Sequence, residues 1–196
     1  MKQVQLLSPI KGQVIPLSDV KDPVFSQGMM GKGFGVEPTN GQIVAPVSGR
    51  ITMVASTLHA IGFATTDGLE VLIHLGIDTV ELKDNPPFKL SVQVADEVKA
   101  GDKIGTMDLA VVKAAGKQTT VILAVTNTAD KVAALTPNLG NVTAGAVAAQ
   151  VDLQAETTTA PAAAAVTKGN GGKYDDLARQ IITNIGGAGN VKSVIH

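Results

Sequence analysis

Between Met1 and Leu153 the apolar residues fall into short runs, "GQIVAPV", "GRITMVA", "LEVLIHL", "KQTTVILAV" and "GAVAAQV", rich in Val, Ile and Thr and punctuated by Gly, Pro and Asp. Runs of this length with this punctuation predict strands, and their even spacing predicts an all-β sandwich or barrel. Only "DLAVVKAAG" (Asp108–Gly116) departs from a period of two, which predicts one short helix. Past Leu153 the pattern lapses. Residues 155–172 are Ala, Thr, Pro, Gly and other small side chains with nothing large to bury, the composition of a linker. Residues 173–196 resume a pattern of another kind: Leu177, Ile181, Ile182 and Ile185 recur at helical spacing, Gly186 and Gly187 offer a C-cap, and "NVKSVIH" reads as the start of a strand. One helix and part of a hairpin cannot enclose a core, so the expected organisation is a β domain at 1–154, a linker at 155–172 and the truncated start of a second domain at 173–196.

Within the β domain, "HAIGFA" and "LEVLIHL" flank "TTDG", whose Asp67-Gly68 pair signals a hairpin. Two of the three histidines of the chain, His59 and His74, stand on these two strands. With an even-numbered loop, residues 59, 61 and 63 share a face with 70, 72, 74 and 76. A four-residue loop sets the two histidines directly opposite, and a two-residue loop sets them diagonally, about 7 to 8 Å apart at Cα. An odd loop or a bulge breaks this parity. On that face the pair would sit among Ile61, Phe63, Leu72 and Glu70. A lone histidine in such surroundings is most simply a packed core residue; two that converge suit a metal site, an acid–base pair or a phosphoryl acceptor. A metal would need a third ligand, for which Asp67, Glu70 and Asp78 are near in sequence. Spacing alone does not choose among these.

Charge and composition narrow the classes of partner. Sixteen basic and 17 acidic residues leave a net charge of −1, without a basic run to meet a phosphate backbone, so nucleic acid is not an expected partner. With no cysteine there is neither a disulfide framework nor a thiolate zinc cluster, in keeping with a cytoplasmic protein. The opening residues lack the apolar centre of a signal peptide, and no apolar run approaches the roughly 18 to 20 residues of a membrane span. "GKGFG" (Gly31–Gly35) imitates a phosphate loop without the strand-to-helix setting that such a loop requires, and "NVT" (Asn141–Thr143) is read as turn chemistry.

The residues around His74 do choose. "VLIHLGIDTVEL" (Val71–Leu82), together with "APVSGRI" (Ala45–Ile51) and "TLHA" (Thr57–Ala60), resembles the glucose-type enzyme IIA domain of the bacterial phosphoenolpyruvate-dependent sugar phosphotransferase system (PTS), a resemblance that runs over Met1 to Leu153. "KYDDLARQIITNIGGAGNVKSVIH" resembles the opening of a glucoside-type enzyme IIB domain, whose phosphorylated cysteine would follow. The fold implied is an antiparallel barrel-sandwich of the duplicated hybrid motif type with little helix. The activity implied is that of a phosphotransferase component, a phosphohistidine carrier in sugar uptake.

Carried over residue by residue, the resemblance makes His74 the phosphoryl acceptor at Nε2 and His59 its phosphate-stabilising partner. Thr57 would orient His59, and the backbone carbonyl of Gly76 would orient His74. The phosphoryl donor would be the phosphocarrier protein HPr, the recipient an enzyme IIB cysteine in the same polypeptide, and the membrane partner an enzyme IIC domain. Asp22 and Asp78 match acidic positions that meet partner arginines. Phe25, Phe63 and Leu72, with Met29, Met30 and Phe34, form a candidate apolar rim for docking. No cofactor is implied and no metal is required, with room only for adventitious zinc at His59 and His74. Two further classes remain: a regulatory protein whose phosphorylation state controls docking on permeases or metabolic enzymes, and a zinc hydrolase of related β architecture.

Overall fold

A computed structural model describes residues 2–82 and 86–155. The expected IIB-like segment, and all of the expected linker except its first residue, lie outside the described residues. Among the described residues fourteen strands follow in chain order. The first seven are β1 (Gln3–Leu7), β2 (Gly12–Pro16), β3 (Lys32–Pro38), β4 (Gln42–Val44), β5 (Gly49–Val54), β6 (Ala60–Ala64) and β7 (Glu70–Ile77). The rest are β8 (Phe88–Leu90), β9 (Glu97–Val98), β10 (Lys103–Met107), β11 (Gln118–Val125), β12 (Val132–Pro137), β13 (Gly140–Val142) and β14 (Val147–Leu153). Each of the six runs read as strands in the β domain lies on one: β4, β5, β6, β7, β11 and β14.

The strands make an eight-stranded sheet ordered β13-β2-β3-β11-β7-β6-β5-β9 and two three-stranded sheets, β1-β14-β12 and β4-β10-β8. Every pairing among the described residues is antiparallel. One apolar cluster draws on all three sheets, with Leu6 and Val151 from one small sheet, Ile43 and Ile104 from the other, and Phe34, Ile51, Phe63 and Ile73 from the large one. This is the expected all-β sandwich, in which side chains alternate between a core face and an outer face along each strand.

Among the described residues α-helix is limited to three short pieces: α1 (Pro23–Ser26), α2 (Leu109–Ala114) and α3 (Thr128–Lys131). Asp108 caps α2 by accepting from the backbone N–H of Ala110 and Val111 at 3.0 and 3.1 Å, and Gly116, at φ +70°, lies just beyond its end. That is the helix expected over Asp108–Gly116. The "GKGFG" glycines serve strand packing: a Cβ on Gly33 would stand 1.9 Å from the Leu123 carbonyl oxygen, and one on Gly31 would stand 2.0 Å from that of Val125.

The segment from Leu17 through α1 lies over the outer face of the large sheet. There Val20, Phe25, Ile77, Ile122 and Ala124 form a second, smaller apolar cluster, with Leu17, Met30 and Leu72 packed against it. Gly35 makes room for this cover, since a Cβ there would fall 2.8 Å from Val20 Cγ2 and 2.9 Å from Ile15 Cγ1.

Two of the expected rim residues belong elsewhere. Phe63, 1% exposed, and Phe34, fully buried, are in the main core, because they occupy the core-facing parity of β6 and β3. Phe63 therefore presents no side chain to a partner. Truncating it to Ala should cost about 3 to 5 kcal/mol of folding stability by chemical denaturation, whereas Met29→Ala, at a side chain 70% exposed, should stay within about 0.5 kcal/mol.

Candidate functional site

The hairpin that carries the two histidines does not have the even loop on which their expected convergence depends. The Thr65 N–H donates to the Leu69 carbonyl at 3.0 Å, which closes a three-residue loop, Thr66–Gly68, with Gly68 at φ +79°. That is a turn followed by a left-handed residue, the usual form for a loop of this length. Ala64 therefore pairs with Glu70, and Ala60, not His59, pairs with His74. Residues 60, 62 and 64 share the outer face with 70, 72 and 74, while Ile61 and Phe63 face the core. On strand parity alone, His59 would point away from His74.

A second irregularity restores the convergence. Just before β6 the chain turns at 55–58, with the Leu58 N–H donating to the Ala55 carbonyl at 2.8 Å and Leu58 in the left-handed region at φ +60°. His59 follows this turn and lies outside the strand, so its side chain is free of the strand's alternation. The two imidazole centroids are 4.9 Å apart, with the rings 75° from parallel. Both rings are half-buried.

Each ring is held at Nδ1. His74 Nδ1–H donates to the Gly76 carbonyl oxygen at 2.7 Å, which leaves Nε2 without a proton while the ring is neutral. His59 Nδ1 is 2.5 Å from Thr57 Oγ1. The Phe25 ring also contacts that of His74, tilted by 58° with centroids 5.2 Å apart. Only glycine suits position 76, because φ there is +75° and a Cβ would meet Thr79 Cγ2 at 2.5 Å and the Gln118 carbonyl oxygen at 2.9 Å.

Burial pushes the His74 pKa below its ordinary 6.5; the Gly76 carbonyl and the charges of Asp22 and Asp78 oppose this without cancelling it. His59 is also lowered, first by burial and then by the nearby His74. Both imidazoles are thus neutral at neutral pH, and His74 keeps a free lone pair on Nε2.

Asp22 and Asp78 both reach the site electrostatically and occupy special backbone positions. Asp22 caps α1, its carboxylate accepting from the Val24 N–H at 2.8 Å. Asp78 is exposed and left-handed at φ +57°, at the start of the 3-10 turn Thr79–Glu81. Leu72 and Met30 border an apolar hollow of about 410 Å³, also lined by Met53 and Gly62, on the outer face next to His74. Asp67 is ion-paired with Lys2. Among the described residues no group of three or more His, Asp or Glu converges as a metal-ligand set, so Asp67, Glu70 and Asp78 do not complete one around the histidines.

Three contributors carry no signal in the sequence. Thr79 is 1% exposed and donates to the Leu75 carbonyl at 2.6 Å, bracing the turn around Gly76. Val24 and Val80 are 43% and 44% exposed beside Asp22 and Asp78, so they, rather than Phe63, supply surface apolar area near those carboxylates. Single apolar residues in short turns have no periodicity to reveal them.

Residues 4–131 match the family model described as phosphoenolpyruvate-dependent sugar phosphotransferase system, EIIA 1. The chain is 40% identical over 127 residues to the PTS system glucose-specific EIIA component of Staphylococcus aureus, an alignment covering 65% of this chain and 76% of that protein. It is 49% identical over 123 residues to the glucose-specific EIICBA component of Streptococcus pneumoniae, covering 63% of this chain and 17% of that much longer protein. The match to the beta-glucoside-specific EIIBCA component of Bacillus subtilis, 48% identical, likewise spans only 20% of that protein. Among solved structures, the glucose permease IIA of Mycoplasma capricolum superimposes with a TM-score of 0.68 at 36% identity, covering 76% of this chain and 96% of the other. The chain belongs to the EIIA 1 family of the phosphoenolpyruvate-dependent sugar phosphotransferase system.

Proposed function

We propose that this chain carries a phosphoryl group on Nε2 of His74 during sugar uptake. The observation that carries the proposal is the bond from His74 Nδ1 to the Gly76 carbonyl, which commits the lone pair to Nε2 beside a second imidazole. In the first step the P–N bond of a donor phosphohistidine, that of phospho-HPr, breaks as the bond from phosphorus to His74 Nε2 forms. In the second, an enzyme IIB cysteine thiolate takes the phosphoryl group and returns the Nε2 lone pair. Phosphoryl transfer asks chiefly for in-line positioning and for donors to the equatorial oxygens. With the Thr57 hydroxyl donating to His59 Nδ1, the His59 proton resides on Nε2, where it can donate to a phosphoryl oxygen.

Asp22 and Asp78 would meet cationic side chains of the incoming partners, and Phe25, Leu72, Val24 and Val80 would exclude water around the transferring group. The IIB partner, through the linker at 155–172 and the segment at 173–196, would be tethered to the carrier, which raises its effective concentration. Multidomain relatives whose names join A, B and C components support such a fusion, although those names place the A component last, whereas here it would precede B. No helix among the described residues is long and apolar enough to cross a membrane; we place the carrier in the cytoplasm, with IIC supplying the membrane passage.

Incubation with phosphoenolpyruvate, enzyme I and HPr should add one acid-labile phosphate to the wild-type chain by intact mass spectrometry and none to His74→Ala. Phosphate on His74→Ala would assign the acceptor elsewhere. His59→Gln, which keeps an N–H donor but is not an imidazole, should still accept phosphate and mainly slow its onward transfer, read as a longer-lived phosphate on the chain when the IIB acceptor is added.

Because both pKa values lie below 6.5, the rate of uptake should hold as pH falls from about 8 to 6.5 and decline only below that. The same shifts act on stability. The unfolded chain binds protons at these positions first, so folding stability should start to fall near pH 6.5 and continue to fall through the lower native values. Nitrogen-15 titration of the two rings, with denaturation at matched pH, checks both expectations.

A further inference from the structure

The site's least regular feature lies on the neighbouring strand. β11 pairs with β3 in one unbroken register from Val125↔Lys32 to Val121↔Val36. Its pairing with β7 slips: Val121 opposes Leu75, but Gln118 opposes Ile77. Thr119 and Thr120 together thus face the single residue Gly76, which is a β-bulge. Gly76 is left out of the ladder at the residue whose carbonyl turns to His74.

What keeps the slip on this side of β11 is visible on the other side. Thr120, 2% exposed, donates its hydroxyl proton to Glu37 Oε1 at 2.7 Å. Glu37 and Thr120 are the next rung of the β3 register beyond Val36↔Val121, so this bond extends β3–β11 in register past the point where β7–β11 has let go. Thr120 shares its strand face with Ile122, the residue directly opposite His74. On the far side of Gly76, Lys117 is ion-paired with Glu81 at 2.5 Å, tying the start of β11 to the 3-10 turn after β7.

We propose that Thr120 and Glu37 are positioning residues for the phosphoryl acceptor, holding the β11 bulge in the place that releases the Gly76 carbonyl to His74 Nδ1. The inference rests on His74 being the acceptor. Without the Thr120–Glu37 bond, β11 can slide back into register with β7, the Gly76 carbonyl is drawn toward the ladder, and the His74 proton distributes over both nitrogens. Neither residue touches the phosphoryl group.

The test reads the His74 tautomer directly, by long-range proton–nitrogen correlation on the unphosphorylated full chain, alongside the rate of phosphate uptake from phospho-HPr. Wild type should show one tautomer, protonated at Nδ1. Thr120→Val should mix the two, lower the His74 titration midpoint further, and slow uptake about tenfold; Thr120→Ser, which restores the donor, should reverse all three. Glu37→Ala, at an exposed side chain, should reproduce the Val variant and decides the matter if Thr120→Val does not fold. A folded Val or Glu37→Ala variant that keeps the pure Nδ1–H tautomer overturns the proposal. If wild type takes up no phosphate yet its tautomer responds as described, the carrier reading fails and the positioning of His74 by this bulge stands.

Discussion

The site depends on one hydrogen bond, from His74 Nδ1 to the carbonyl of a residue two places along the same strand. In a regular strand that carbonyl lies in the plane of the sheet and is used by its neighbour. Turning it onto a side chain requires a backbone the sheet would not otherwise adopt. Gly76 provides the dihedral angle, at φ +75°, and the β11 bulge opposite removes the competing ladder partner. Thr79, through its bond to the Leu75 carbonyl, and the Lys117–Glu81 pair hold the two flanks of this distortion.

The large sheet divides its labour between its faces. The core face carries bulky side chains such as Phe34, Phe63 and Ile73, and these contribute most of the burial. On the outer face, Gly35 and Ala124 are small where the Leu17–Met30 segment covers the sheet, and from that segment Phe25 packs against the His74 ring. Apolar cover lowers the pKa of both imidazoles, while the carboxylates of Asp22 and Asp78 moderate the shift on His74. The balance keeps an uncharged nucleophile in a rim of negative charge. Those carboxylates bring negative charge to the rim without protonating the ring at neutral pH.

Several parts of this arrangement are legible in the sequence. Six of the strands and the helix at Leu109–Ala114 follow from period and punctuation. The surroundings of His74 at "HLGIDTVEL" are readable through resemblance, including the Gly76 contact and the Thr57 contact that the structure places at 2.7 and 2.5 Å. Strand parity predicts the convergence of the two histidines, but from the wrong premise. The loop is odd, Phe63 faces the core, and the pair meets because Leu58 takes a left-handed conformation that a leucine gives no reason to expect.

By itself, the sequence determined which residues have chemistry to offer and which stretches pair as strands, because side-chain type and alternation are local properties. Only the tertiary structure decided which face each residue joined and which carbonyl was free to meet His74. Those outcomes turn on two left-handed residues and a two-for-one mismatch between strands far apart in the chain. Such features are set by how β3, β11 and β7 must fit together, and a period of two within any one of them is blind to that fit.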